Sequence, residues 1–235
     1  MKGIVLAGGR ATRLRPLTLV TSKQLLPVYD RPMIYYPINT LKKSGITDIL
    51  IIIAPDYSGQ FLNLLGSGEE LGVNLNYAVQ KEPKGLADAF IIGQHFIGND
   101  SVTMILGDNI FDPDFSADIS NFSTGAQIFA KKVSDPNRFG VVEFDQDLTA
   151  ISIEEKPTVA KSDYAVVGLY TYDNRVVNYA KNLTPSARGE IEITDINNLY
   201  LKNKELKVNL IDTYWQDAGT LDSLLEAGNY MAKKI

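Results

Sequence analysis

An unbroken apolar run, Ile49 to Ala54, constrains this chain more than any other feature. It shows neither the alternation of a half-exposed strand nor the spacing of an amphipathic helix. Such a run is typical of a strand covered on both faces. Residues 2–7 are also short and apolar and run into Gly8-Gly9. SVTMIL (101–106) runs into a Gly-Asp-Asn turn. Helical spacing lies between these strands. Ile34, Ile38 and Leu41 place a helix over 32–44, with Pro32 in its first turn and Pro37 expected to bend it. SGQFLNLLGSG reads as a helix stopped by Gly66, LNYAVQ as a strand, and GLADAFIIGQHFIG as one further helix. Strand and helix thus alternate through the first 110 residues, the pattern of a parallel sheet with helices on both faces.

The second half changes character. GAQIFAKKV, GVVEFDQD, TAISIEEKP and YAVVGLYTYD are strand-like with little helix between them, which suggests antiparallel additions or a mixed sheet. Helical patterns return at 174–183 and 192–203. LKVNLID is a late strand, and a last helix follows Thr220, a plausible cap. Without repeats, low-complexity tracts or a long linker, the 235 residues are expected to form one domain. The chain has no cysteine and a single histidine, His95. Thiolate metal sites and disulfides are therefore excluded, and a Ser-His-Asp triad is disfavoured. His95, beside Phe90, Phe96 and Ile97, reads as structural. A net charge of −5 argues against a nucleic-acid partner. The first apolar run is too short for a signal peptide or a membrane span.

Against that acidic balance stands GIVLAGGRATRLRPLTLVTSKQLLPV (3–28), rich in arginine. It is neither a G-x-G-x-x-G fingerprint nor a P-loop. Gly8 and Gly9 leave backbone amides free to approach phosphates, and Arg13, Arg15 and Lys23 add charge suited to a triphosphate. A tight turn with solvated arginines fits the pattern equally well.

The residues LAGGRATRLRPLT and SKQLLPV closely resemble the signature of the sugar-1-phosphate nucleotidylyltransferases. YDRPMIYYPI, GLADAFIIG, LGDNIF, FGVVEFD, EEKP, YAVVGLYTYD, SARGEIEITDIN and WQDAGT follow in the family's order over nearly the whole chain. The resemblance implies an α/β fold with a Rossmann-like open mixed sheet, mostly parallel and flanked by helices. The nucleotide part is expected over about 1–110 and the sugar-phosphate part over about 111–235. It also implies thymidylyl transfer from dTTP to glucose 1-phosphate with release of pyrophosphate. UTP, or another sugar 1-phosphate, is the alternative, since a methyl gives only about 1–3 kcal/mol of discrimination. A non-catalytic nucleotide-sugar sensor is a more distant one.

By the same resemblance, Arg13 faces the triphosphate and Lys23 the α-phosphate. Leu6, Gly8, Gly9, Thr12, Gln24, Gln80 and Gly85 belong to the nucleotide site, with Gln80 and Gly85 reading the base. Asp108 and Asp217 converge on Mg²⁺; alone, each reads as a turn or cap residue. Lys156 binds the sugar phosphate, Glu155 the sugar hydroxyls, and Arg188 the phosphate again. Gly140 and Val166 offer backbone groups. Tyr170 lines the sugar pocket, although an aromatic on a strand is more often core. Phe139 stands where relatives often carry tyrosine. Ala11 replaces the loop's usual third glycine and is expected at negative φ. A cytoplasmic homodimer or homotetramer is implied, with no membrane contact. Longer relatives continue beyond the position of Ile235 with helices that help form a regulatory site, so catalysis without separate-site feedback is expected here.

Overall fold

The computed structural model describes residues 1–9 and 11–234; Arg10, within the basic loop, lies outside them. The strands are β1 (Lys2–Ala7), β2 (Pro27–Val28), β3 (Arg31–Pro32), β4 (Asp48–Ile53), β5 (Asn74–Val79), β6 (Val102–Leu106), β7 (Asn109–Phe111), β8 (Ala126–Lys132), β9 (Gly140–Phe144), β10 (Ala150–Glu155), β11 (Tyr164–Tyr172), β12 (Leu206–Ile211) and β13 (Trp215–Asp217). The helices are α1 (Tyr35–Lys43), α2 (Ser58–Leu65), α3 (Asp88–Ile92), α4 (Gln94–Ile97), α5 (Ser116–Ser120), α6 (Arg175–Asn182), α7 (Ile193–Lys202) and α8 (Leu221–Ala232).

Nine strands make one sheet in the order β10-β9-β11-β6-β1-β4-β5, with β8 also paired to β11 and β12 to β8. The block β6-β1-β4-β5 is parallel throughout. Strand β11 joins antiparallel to β6, β8 and β9, and β10 is antiparallel to β9. Since β12 runs parallel to β8, only β11 and β10 oppose the common direction. The fold is thus the mostly parallel mixed α/β sheet, flanked by helices, that the sequence implies.

Burial on both faces explains the apolar runs. Along β1, Ile4 and Leu6 enter one core while Val5 and Ala7 enter the other. Along β4, Leu50 and Ile52 join the first core, and Ile49, Ile51 and Ile53 the second. Phe90 of α3, Val176 of α6 and Tyr200 of α7 cover one face; Ile38 of α1, Phe61 of α2 and Ile119 of α5 cover the other.

Two helices depart from expectation. Helix α1 starts at Tyr35, because Pro32 belongs to β3, paired with Pro27, and Ile34 is the cap; the Met33 and Ile34 amides donate to the carbonyls of Leu26 and Gln24. Pro37 is therefore the third helical residue, where no intrahelical donor is needed, and no bend is required. GLADAFIIGQHFIG forms two short helices meeting at Gly93. A Cβ there would sit 3.1 Å from Ile4 and 3.2 Å from Leu50, so the glycine admits the sheet closely. Thr220 caps α8 as expected, in a reciprocal capping box with Ser223.

Candidate active site

The chain leaves β1 for β4 and β5 on one side, then returns to β6 on the other. This switch between β1 and β6 opens a crevice at the carboxyl ends of the strands, where open α/β sheets bind ligands. The glycine loop follows β1 at that place, and Gly107-Asp108 follows β6.

Gly8 is buried beneath Gln80. A Cβ on Gly8 would lie 2.6 Å from Gln80 Oε1, so the glycine makes room for that amide. Gly9 faces the crevice. A short 3₁₀ turn spans Thr12–Leu14; Leu14 is fully buried and anchors it, and Arg13 borders the crevice. Ala11 corrects the sequence expectation: it is left-handed, with φ 48° and ψ 41°. Its carbonyl accepts from Thr18 Oγ1 at 2.9 Å and from the Leu14 amide at 3.1 Å, which hold the conformation. The cost of placing alanine there is about 1–2 kcal/mol. Strain of this kind is typical of functional loops.

Across the crevice, Lys23 forms a salt bridge with Asp108 Oδ2, and both side chains are largely shielded from solvent. Burial works to raise the Asp108 carboxyl, but the Lys23 charge and hydrogen bonds from Lys23 and Asn109 hold it below the ordinary value. Asp217 behaves oppositely. Burial first, and the neighbouring Asp108 charge second, push it up to about 6. Its Oδ1 is buried without a hydrogen-bond partner. The two carboxylates are brought together by the antiparallel pair β7–β13, where Asp217 lies opposite Asn109. Asn109 ties this corner: its Nδ2 donates to Asp108 Oδ1 at 3.1 Å. Its Oδ1 accepts from Trp215 Nε1 at 2.7 Å and from the Gly168 amide at 3.1 Å.

The opposite wall belongs to the second half of the chain. Glu155 ends β10, and its Oε2 accepts from Thr194 Oγ1 at 2.7 Å. Lys156 follows at φ 45°, its amide donating to the Phe139 carbonyl at 3.0 Å, with Nζ 3.5 Å from Glu155. Arg188 reaches Glu192 at 2.9 Å and Glu155 at 3.7 Å. Gly140 and Val166 line the wall. Tyr170 does so too while being almost wholly buried against Tyr172, and burial pushes its phenol well above the usual range. It is both core and pocket lining.

At the end of the cleft beside β5, Gln80 Nε2 donates to Asp88 Oδ2 at 2.9 Å. Gln24 is buried, its Oε1 accepting from Ser22 Oγ at 2.6 Å. Gly85 has φ +100° and presses on Ile191, whose backbone exchanges bonds with Lys84 O (2.7 Å) and the Ala87 amide (3.2 Å).

One cavity of about 440 Å³ joins all of these walls. Every site residue that the resemblance implies lines it except Gly8, which supports it from below, and Thr12, which is exposed outside it. Arg15 and His95 are exposed and lie off the cavity. Sequence reasoning gave no role to Asn109, Trp215, Thr194, Glu192 or Arg138, all of which line it. Asn109 and Trp215 lie inside the quoted LGDNIF and WQDAGT stretches, but their bond spans 106 positions and leaves no local pattern. Among the described residues no group of three or more acidic or histidine side chains forms a metal cage.

A glycine loop at a sheet switch point, facing two carboxylates and a second cationic wall, is the arrangement expected of a nucleotidyl-transferring enzyme. The chain belongs to the nucleotidyl transferase family, whose model matches residues 2–234. Within it, the chain is similar to the glucose-1-phosphate thymidylyltransferases. It is 54% identical to that of Neisseria meningitidis over 98% of this chain and 82% of the relative. It is 53% identical to that of Mycolicibacterium smegmatis, with the same coverage. A Bacillus anthracis crystal structure, assigned to the same activity and holding sucrose, superposes with a TM-score of 0.93 at 48% identity. That match covers 100% of this chain and 96% of the other.

Proposed function

We propose that the chain transfers a thymidylyl group from dTTP to glucose 1-phosphate at this cleft, giving dTDP-glucose and pyrophosphate. The observation that carries the reading is the division of cations between two walls. Arg13 and Lys23 stand by the glycine loop, and Lys156 and Arg188 stand on the far side, with the aspartates in the crevice. Such a cleft suits two anionic substrates that must meet.

A phosphate oxygen of glucose 1-phosphate attacks the α-phosphorus. The new P–O bond forms as the bond to the β-phosphate breaks, and pyrophosphate leaves with the electron pair. The nucleophile is already an anion, so no general base is needed, in keeping with a cleft lined by no histidine or cysteine among the described residues. Positioning and electrostatics then carry the rate. Arg13 and the loop amides hold the β- and γ-phosphates, and Lys23 serves the α-phosphate. Lys156 and Arg188 hold the sugar phosphate. Glu155, oriented by Thr194, accepts from sugar hydroxyls.

Asp108 and Asp217 fit Mg²⁺. A buried Asp217 Oδ1 with no hydrogen-bond partner, beside a second carboxylate, is a donor set that suits a cation, and Mg²⁺ takes one or two carboxylates with waters and phosphate oxygens. Bound there, the ion supplies positive charge to the phosphate oxygens. The reading extends to a single domain over 1–235, supported by a sheet that draws strands from both halves. It extends also to a cytoplasmic homodimer or homotetramer, for which neighbouring exposed Leu17, Leu19 and Val20 supply an apolar surface. No helix among the described residues is long and apolar enough to cross a membrane.

Pyrophosphate release, followed with a panel of triphosphates and sugar 1-phosphates, tests the proposal. Fastest turnover with dTTP and glucose 1-phosphate is the expected result; no release with any pair refutes it.

A further inference from the structure

Gln80 follows β5 at the cleft and is only 5% exposed. Its amide nitrogen donates to Asp88 Oδ2 at 2.9 Å. A carboxylate accepts hydrogen bonds and cannot donate them. The amide therefore has one permitted orientation, because the flipped form would set Oε1 against Oδ2 with no proton between. With the nitrogen committed to Asp88, Oε1 is held on the other side, above Gly8. The absence of a Gly8 side chain is what allows that position, 2.6 Å from where a Cβ would stand. The amide thus offers an acceptor and one remaining hydrogen with fixed polarity.

That polarity selects among bases. A 2,4-dioxopyrimidine presents a ring N–H flanked by carbonyls, so Oε1 accepts from the N–H while the free amide hydrogen meets a carbonyl. A 4-aminopyrimidine presents a bare ring nitrogen beside an amino group. Against the same amide, two acceptors meet and two donors meet. Only a flipped glutamine would suit it, and Asp88 forbids the flip.

We propose that Asp88, which does not itself line the cleft, sets base selectivity by pinning the Gln80 amide, so that thymine or uracil nucleotides are accepted and cytosine nucleotides rejected. Asp88 is a positioning residue. The inference rests on reading this end of the cleft as the base site. Asp88→Asn would undo the selection without loss of shape, since an asparagine amide satisfies either orientation of Gln80. Asp88→Ser would undo it by removing the carboxylate.

The test is calorimetric binding of dTTP and dCTP, without sugar phosphate, to wild type and both variants. The wild type is expected to bind dTTP well over 10-fold tighter than dCTP. In each variant the ratio is expected to fall by about 10-fold or more, the size of one mismatched two-bond contact to a base edge. A structural defect alone would weaken both nucleotides together and leave the ratio unmoved. Circular dichroism checks folding, and either variant suffices if the other is unstable. Equal binding of the two nucleotides by the wild type overturns the proposal, as does a ratio within threefold of wild type in a folded variant. Turnover is assayed separately. Selective binding of dTTP without transfer would refute the enzymatic reading and leave the role of Asp88 standing.

Discussion

Gly85→Ala strikes a place where the loop after Gln80 and the segment that carries Arg188 and Glu192 are joined by backbone hydrogen bonds. A Cβ at residue 85 would lie 2.4 Å from Ile191 O and 2.7 Å from Ile191 N. Ordinary contact begins at 3.4 Å, so the two segments must part by about 1 Å. Two main-chain bonds join them, Ile191 N to Lys84 O at 2.7 Å and Ala87 N to Ile191 O at 3.2 Å. Losing both removes about 2 kcal/mol at a net ~1 kcal/mol each. Alanine at φ +100° adds about 1–2 kcal/mol. Relaxation elsewhere would absorb part of a total near 3–4 kcal/mol. A shift of ~1 Å in positioning groups is itself worth about 10²-fold in rate. The expected outcome is a fall of about 10²-fold in kcat/KM, with KM rising for both dTTP and glucose 1-phosphate. Steady-state pyrophosphate release checks it, with circular dichroism to confirm folding. Activity within threefold of wild type would refute the coupling of the two loops.

Other expectations follow from single residues. Lys156→Ala should raise KM for glucose 1-phosphate by about 10-fold or more while moving that for dTTP much less; a larger shift for dTTP would assign this cation to the nucleotide. Ala11→Gly relieves ~1–2 kcal/mol of left-handed strain but adds ~0.5–1 kcal/mol of unfolded-state entropy, so Tm should rise by about 1–3 °C in thermal denaturation. A lower Tm would show that Ala11 is not left-handed. Asp173, beneath α6, resists the upward push of burial. Arg175, the Gly125 amide, Tyr200 and Thr124 together hold its carboxyl below the ordinary value. A depressed folded-state pKa stabilises above the unfolded value, near 3.9, and that stability is lost as pH falls through the folded value. Asp173→Asn should therefore lower Tm at pH 7 by several degrees, with the gap to wild type narrowing below about pH 4. A gap that does not change with pH would contradict the assignment.

The parallel strands were legible because burial on both faces writes itself as uninterrupted runs, as in Ile49–Ala54. Helix ends were less so. Pro32 is taken by the β2–β3 pairing with Pro27, a tertiary fact that delays α1 and leaves Pro37 in its first turn. Gly93 breaks a helix to let Ile4 and Leu50 approach, which no local signal records. Most of the cleft was legible only through the family resemblance. Arg13, Lys23 and Asp108 on pattern alone read as surface charge and a turn residue. What stayed hidden was long-range pairing: Asn109 with Trp215, Gly85 with Ile191, and the Thr18 hydroxyl that holds Ala11 left-handed. Asp88 was invisible as a working residue, because its effect is on Gln80 rather than on any ligand.

The most direct test of the whole account is a crystal structure of the chain with dTDP-glucose bound. The account predicts the pyrimidine edge against Gln80, the diphosphate between Arg13 and Lys23 on one side and Lys156 and Arg188 on the other, and the hexose beside Glu155. Density for the nucleotide sugar outside this crevice, or a reversed pose with the sugar at Gln80, would contradict it.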